Sequence, residues 1–196
     1  MDQSILPQPL KSVCVYCGSS PSAAQSYLDL AASVGRAIAG RGWKLVYGGG
    51  GLGLMGASAL AAHDAGGEVL GILPRFLETR EPPPPQINTR RVDTMHERKM
   101  MMFELSDAFI VQPSGNGTLE EVVETMSWRR LGLHSKPTVF VDKTFWGPFI
   151  ASLDHLVAEN FAPEIFKDSY ALVDTAEECM RALEVAHAQS ALTQVA

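Results

Sequence analysis

Short apolar runs alternate with stretches of helical spacing along most of the chain. Ser12–Tyr16 (SVCVY) is a β-type run, and Cys17-Gly-Ser-Ser-Pro21 after it reads as a loop. Over residues 22–40 the apolar positions Tyr27, Leu30, Ala31, Val34 and Ile38 follow helical spacing, with Gly40 and Gly42 as stop signals. Residues 43–47 and 68–73 read as strands. Between them lie a glycine loop, Gly48 to Gly53, and a short Ala-rich helix over 54–65. Helices over 94–106, 118–131, 146–160 and 175–189 alternate with strands over 108–112, Thr138–Val141 and Tyr170–Val173. Strands separated by helices predict an α/β fold, a Rossmann-like parallel sheet with helices on both faces. Ligands of such sheets sit at the carboxyl ends of the strands, near the switch point.

Residues 74–88 break the rhythm. They include four consecutive prolines, Pro82 to Pro85, and read as a stiff extended connection. A connection this long inside a compact domain is a candidate functional segment. With no internal repeat and no second core, residues 1–196 are expected to form one nucleotide-binding domain, frayed at 1–10 and 189–196.

Composition narrows the class. The chain has 196 residues and a net charge of −6, with 46% hydrophobic and 19% charged residues, an ordinary balance for a globular protein. The net charge argues against a coat for nucleic acid or anionic membrane. Residues 1–149 are charge-balanced and residues 150–196 supply the whole −6, so the motifs below lie in the neutral part. No apolar run approaches the ~18 residues of a membrane span, and the first ten residues carry no export signal. Three cysteines, Cys14, Cys17 and Cys179, fit a reducing, cytoplasmic setting. Cys14 lies within a strand-like run rather than at a helix start, so Cys14-x-x-Cys17 reads as two structural thiols.

Two glycine loops carry the candidate chemistry. Gly48-Gly-Gly-Gly51-Leu-Gly53 contains G-x-G-x-x-G between a strand and a helix. It follows the second strand rather than the first, and no acid ends the third strand to take a ribose hydroxyl. Contact with some other nucleotide therefore ranks above a nicotinamide or flavin site, with a purely structural turn as the alternative. Pro113-Ser-Gly115-Asn-Gly117-Thr118-Leu-Glu-Glu121 also joins a strand to a helix start, where free N–H groups and the helix dipole favour a phosphate. Thr118-x-x-Glu121 also fits a capping box, leaving capping and catalysis equally open for Glu121. Helical spacing puts Leu119, Val122, Val123 and Met126 on one face and Glu121 opposite, close to Trp128.

On the helix opened by Thr94-x-x-Glu97, a further capping box, Arg98 falls inside the apolar stripe of Met101, Met102 and Leu105. A guanidinium there needs an ion-pair partner or points into a ligand cleft. His96 lies off the stripe and reads as a surface residue. No Ser/His/Asp set and no metal-ligand cluster rises above background, so no cofactor or metal is expected.

The segments SVCVYCGSSP, LVYGGGGLGLMG, TMHERKMMM, PSGNGTLEE and SWRRLGLHSKP, in that order, resemble the Lonely Guy (LOG) family of cytokinin riboside 5'-monophosphate phosphoribohydrolases. The resemblance runs from about Ser12 to Asn160. It implies a catalytic pair, Arg98 and Glu121. It also implies a nucleotide cleft lined by Ser19, Gly48, Gly49, Gly50, Met95, Lys99, Gly115, Asn116, Gly117 and Thr118, and a homodimer. The family's other label, lysine decarboxylase-like, fits poorly, because nothing marks a pyridoxal-phosphate lysine. Ser114 stands where the family has the first glycine of its phosphate loop. Were a positive φ needed there, the serine would cost ~1 kcal/mol. The implied reaction is hydrolysis of the N-glycosidic bond of an N6-substituted adenosine 5'-monophosphate to free base and ribose 5-phosphate. The alternatives are a general AMP nucleosidase and a non-catalytic nucleotide-binding protein.

Overall fold

Seven parallel strands form one sheet in the order β4-β3-β2-β1-β5-β6-β7, in a computed structural model that describes residues 9–193. The strands are β1 (Ser12–Tyr16), β2 (Lys44–Tyr47), β3 (Val69–Pro74), β4 (Asn88–Val92), β5 (Ala108–Val111), β6 (Thr138–Val141) and β7 (Tyr170–Val173). The helices are α1 (Gln25–Gly40), α2 (Gly53–Asp64), α3 (Met95–Glu104), α4 (Asn116–Arg130), α5 (Lys143–Ala158) and α6 (Ala176–Thr193). The central strands are continuous apolar runs because both faces of the sheet are covered. Val13, Val15, Leu45 and Ile110 point to a core shared with α1, α2 and α6. Cys14, Val46, Ile72 and Phe109 point to one shared with α3, α4 and α5.

The expected Rossmann-like architecture is the one observed, and most strands fall within a residue of their sequence-derived bounds. β4 was not anticipated. Its sequence, NTRRV, is polar because it forms the sheet edge, where charged side chains remain in water. The connection after β3 is correspondingly shorter than expected and starts as a 3-10 turn, Arg75–Leu77. At the carboxyl end α6 continues to Thr193, beyond the expected fraying point. Residues 1–8 and 194–196, where the rest of the fraying and the missing export signal were read, lie outside the described residues. Among the described residues no helix is long and apolar enough to cross a membrane.

Strand order reverses between β1 and β5, so the connections that leave their paired carboxyl ends run in opposite directions and open a crevice. Two buried polar contacts hold its walls. Ser58 Oγ donates to Gln112 Oε1 at 3.1 Å, tying α2 to the end of β5. Thr125 Oγ1 donates to the Glu121 carbonyl at 2.9 Å, which leaves the Tyr16 hydroxyl as donor to Thr125 Oγ1 at 3.2 Å and fastens α4 to β1. Cys14, Cys17 and Cys179 are buried free thiols, each held protonated by burial, as expected of structural cysteines.

Candidate active site

A cleft of about 680 Å³ opens at this switch point. Its walls come from the loop after β1 (Ser19), the start of α3 (Met95 and Arg98), the loop after β5 (Gly115 to Thr118) and Glu121 of α4.

Arg98 is 5% exposed and Glu121 is 6% exposed. The Thr94–Glu97 capping box starts α3 as expected: Thr94 Oγ1 accepts from the Glu97 N–H at 3.1 Å, and Glu97 Oε2 accepts from the Thr94 N–H at 3.2 Å. That start sets the phase that turns Arg98 inward and leaves His96 outside. The guanidinium donates through Nη2 to the Gly48 carbonyl at 3.0 Å and through Nε to the Ile72 carbonyl at 3.3 Å. Its Nη1 stands 3.8 Å from Glu121 Oε1. Arg98 is thus oriented by backbone and faces Glu121 as a charge, with no close hydrogen bond between them. Burial pushes the Glu121 carboxyl up to about 7, against the opposing pull of Arg98.

The glycine loop after β2 has a different role from the expected one. A Cβ on Gly48 would land on the Arg98 guanidinium, and one on Gly49, where φ is +86°, would press on Leu73. A Cβ on Gly50 would stand 3.3 Å from Glu81. Leu54 and Met55 at the start of α2 already donate their N–H groups to the Gly18 carbonyl, at 2.9 and 3.2 Å. The loop is packed against protein and its helix start is occupied, so Gly48 supports Arg98, Gly49 packs against β3 and Gly50 against Glu81, and none of the three is among the residues that line the cleft. Lys99 also lies off the cleft, in ion pairs with Glu120 at 2.5 Å and Glu124 at 2.9 Å that join α3 to α4.

The loop after β5 differs from this. Gly115, in extended conformation, is the N-cap of α4, and no side chain caps the helix. The first bond into the helix runs from the Leu119 N–H to the Gly115 carbonyl at 3.2 Å. The start of α4 at Asn116, Gly117 and Thr118 therefore lines the cleft as an anion-receptive end. Added Cβ atoms at Gly115 and Gly117 would meet nothing within 4 Å, and neither residue has a positive φ. Neither packing nor backbone demands glycine at these positions, and both border the open cleft. Ser114 also lacks a positive φ, so the feared strain is absent.

The Thr118–Glu121 capping box does not form, because the helix begins earlier, at Gly115. The inward face of α4 is Thr118, Glu121, Val122, Thr125 and Met126, while Val123 is exposed. Apolar spacing placed Val122, Met126 and Leu119 correctly but misassigned Val123 and Glu121, because the inward face is half polar. Trp128 packs edge-on against Phe103, 5.0 Å between ring centres. The sequence reading missed Glu81, which accepts a hydrogen bond from Ser19 Oγ at 2.5 Å and lines the cleft. The only signal for it was the length of the connection that carries it. Among the described residues no group of three or more His, Cys, Asp or Glu side chains is placed to hold a metal ion.

Comparison with known proteins finds relatives over most of the chain. A family model described as possible lysine decarboxylase matches residues 55–183. The cytokinin riboside 5'-monophosphate phosphoribohydrolase LOG of rice (Oryza sativa subsp. japonica) is 42% identical over 176 residues, 89% of this chain and 73% of the rice protein. The cytokinin riboside 5'-monophosphate phosphoribohydrolase of Mycobacterium tuberculosis (strain ATCC 25618 / H37Rv) is 43% identical over 175 residues, 87% of this chain and 92% of the relative. Among solved structures, the molybdenum cofactor carrier protein of Chlamydomonas reinhardtii superposes with a TM-score of 0.67 at 21% identity, over 90% of this chain and 98% of that one. That likeness is one of fold.

Proposed function

The chain belongs to the family whose model is described as possible lysine decarboxylase and which includes the LOG phosphoribohydrolases, and on that premise we propose that it hydrolyses the N-glycosidic bond of N6-substituted adenosine 5'-monophosphates. The observation that carries this reading is the buried Arg98–Glu121 pair, 3.8 Å apart beside the uncapped start of α4. The phosphate would sit at Gly115 to Thr118, so that binding energy remote from the reaction positions C1'. Ser19 and Met95 would line the remainder of the cleft. The C1'–N9 bond breaks with its electron pair passing to the purine, and an oxocarbenium-like centre develops at C1'. Glu121, as carboxylate, stabilises that centre and takes a proton from the attacking water, whose oxygen bonds to C1'. Arg98 orients the substrate and offsets negative charge on the departing base. The released purine anion takes a proton from solvent water, and Glu121 gives the proton it took back to solvent, so the protons balance. No metal or cofactor enters this scheme.

The same reading includes a homodimer, supported by Leu105, Val123, Leu131 and Leu133, large apolar side chains exposed on and just beyond α3 and α4. It also places the protein in the cytoplasm, in keeping with three free thiols. Nucleic acid and membrane have no part in it. The test is incubation with AMP and with N6-isopentenyl-AMP, followed by chromatography for released base. Release from the isopentenyl nucleotide alone supports the proposal. Equal release from both makes the protein a general AMP nucleosidase, and no release makes it a nucleotide-binding protein without this activity. Arg98→Ala and Glu121→Ala should each lose roughly 10²-fold or more in rate while the fold survives.

A further inference from the structure

The 74–88 connection delivers a second carboxylate to the cleft, and the scheme above leaves it idle. Glu81 is held from several sides. Its own N–H donates to the Leu77 carbonyl at 2.8 Å, and the next residue, Pro82, accepts from the Gly51 N–H at 2.9 Å. Its side chain packs over Gly50, and its Oε1 accepts a hydrogen bond from the Ser19 hydroxyl at 2.5 Å. Among the described residues no Lys, Arg or His side chain lies within ion-pair distance of it. An anchored carboxylate without a cation, on the wall of a ligand cleft, is an acceptor awaiting donors.

The donors follow from the chemistry of the proposed substrate, and the inference rests on that proposal. A phosphate only accepts at neutral pH and is repelled by Glu81, which suits its placement at the start of α4. An N6-substituted adenine offers one exocyclic N–H. The ribose offers two adjacent hydroxyls, one of them on the carbon next to the reacting C1'. Two acceptors stand side by side to meet them: Glu81 Oε2, and Ser19 Oγ, whose proton is already committed to Oε1. We propose that Glu81, steered by Ser19, binds the ribose 2'- and 3'-hydroxyls and makes the enzyme selective for ribose over 2'-deoxyribose. Hydrogen bonds to the 2'-hydroxyl strengthen as positive charge develops at the anomeric carbon, so the contact accelerates cleavage as well as selecting the sugar. Gly50 belongs to the same device, since a side chain there would press on Glu81.

The test compares kcat/KM for N6-isopentenyl-AMP and its 2'-deoxy counterpart in the wild type, Glu81→Ala and Ser19→Ala. The deoxy bond is intrinsically more labile, so the informative quantity is the change in the ribo/deoxy ratio between variants. Glu81→Ala should lower that ratio at least tenfold, almost wholly through the ribonucleotide, and Ser19→Ala should lower it less. An unchanged ratio overturns the proposal, whether both rates fall together or neither falls. If Glu81→Ala does not fold, Glu81→Gln keeps the shape, and the same ratio decides. If the wild type cleaves neither nucleotide, the hydrolase reading fails separately. The ratio of Kd for AMP and 2'-deoxy-AMP, measured by calorimetry, then takes its place: narrowing in Glu81→Ala upholds the sugar contact, and constancy refutes it.

Discussion

Gly48 and Arg98 share one space: the guanidinium fills the position where any other residue at 48 would carry its Cβ, and it donates to the Gly48 carbonyl at 3.0 Å. The relationship makes a glycine outside the cleft a determinant of the proposed catalytic pair. Gly48→Ala should displace Arg98 from Glu121 and lower kcat/KM by about 10²-fold, close to the loss on removing Arg98 itself. Melting should still be cooperative, at a lower temperature, because the buried guanidinium loses a backbone acceptor. Steady-state kinetics and thermal unfolding of the one variant check both halves. Full activity in a folded Gly48→Ala would show that the position of Arg98 does not matter.

Glu121 titrates within the working range, because burial raises its carboxyl to about 7. If the ionised form acts on C1' and water, kcat/KM should climb about tenfold per unit of pH below 7 and level off above it. The substrate phosphate titrates near ~6 and contributes its own shallower limb. Glu121→Gln retains only that limb. A profile that falls between pH 6 and 8 would instead make the protonated carboxyl the active form.

The fold was legible because parallel strands covered on both faces are written as plain apolar runs such as SVCVY, AFIV and TVFV. β4 was not, because an edge strand carries polar residues and looks like a loop. Arg98 was conspicuous as a charge inside an apolar stripe, and burial beside Glu121 accounts for it. Glu121 was harder to read. Its helix face mixes Thr118 and Thr125 with Val122, so the hydrophobic pattern placed Val122 and Met126 correctly but put Val123 inside and Glu121 outside. The two glycine loops look alike in sequence and differ in what occupies them: Arg98 and Glu81 for the first, open cleft for the second. Only three-dimensional packing separates those cases, and it likewise brings Glu81 from a proline-rich connection to Ser19.

Gly117 gives a test in which stability and function move in opposite directions. It lies in the first turn of α4 without a positive φ, and a methyl group there would meet no protein atom within 4 Å. Gly117→Ala should therefore stabilise the fold by roughly 0.5–1 kcal/mol through helix propensity and reduced freedom of the unfolded chain. The same methyl group enters the space proposed for the phosphate and should raise KM for the nucleotide at least tenfold. Ser114→Gly is the companion. With no positive φ to relieve, it should leave the melting temperature unchanged or slightly lowered. An unaltered KM in Gly117→Ala would move the phosphate away from the start of α4.

Stability should carry the mark of Glu121 as well. A carboxyl at about 7 in the folded chain and 4.5 when unfolded binds more protons in the folded state between those values. Its contribution is fully present below pH 4.5 and is lost as pH rises through 7. The loss is on the order of 3 kcal/mol, with the favourable pull of Arg98 on the ionised form already counted in the value of about 7. Glu121→Gln removes the titration while keeping the shape. The stability of the wild type relative to this variant should therefore decline between pH 5 and pH 8, measured by urea denaturation at fixed ionic strength. A difference independent of pH would mean that Glu121 ionises in the folded chain as readily as in water. It would then have to exert its proposed effect on C1' without the desolvation that its burial implies.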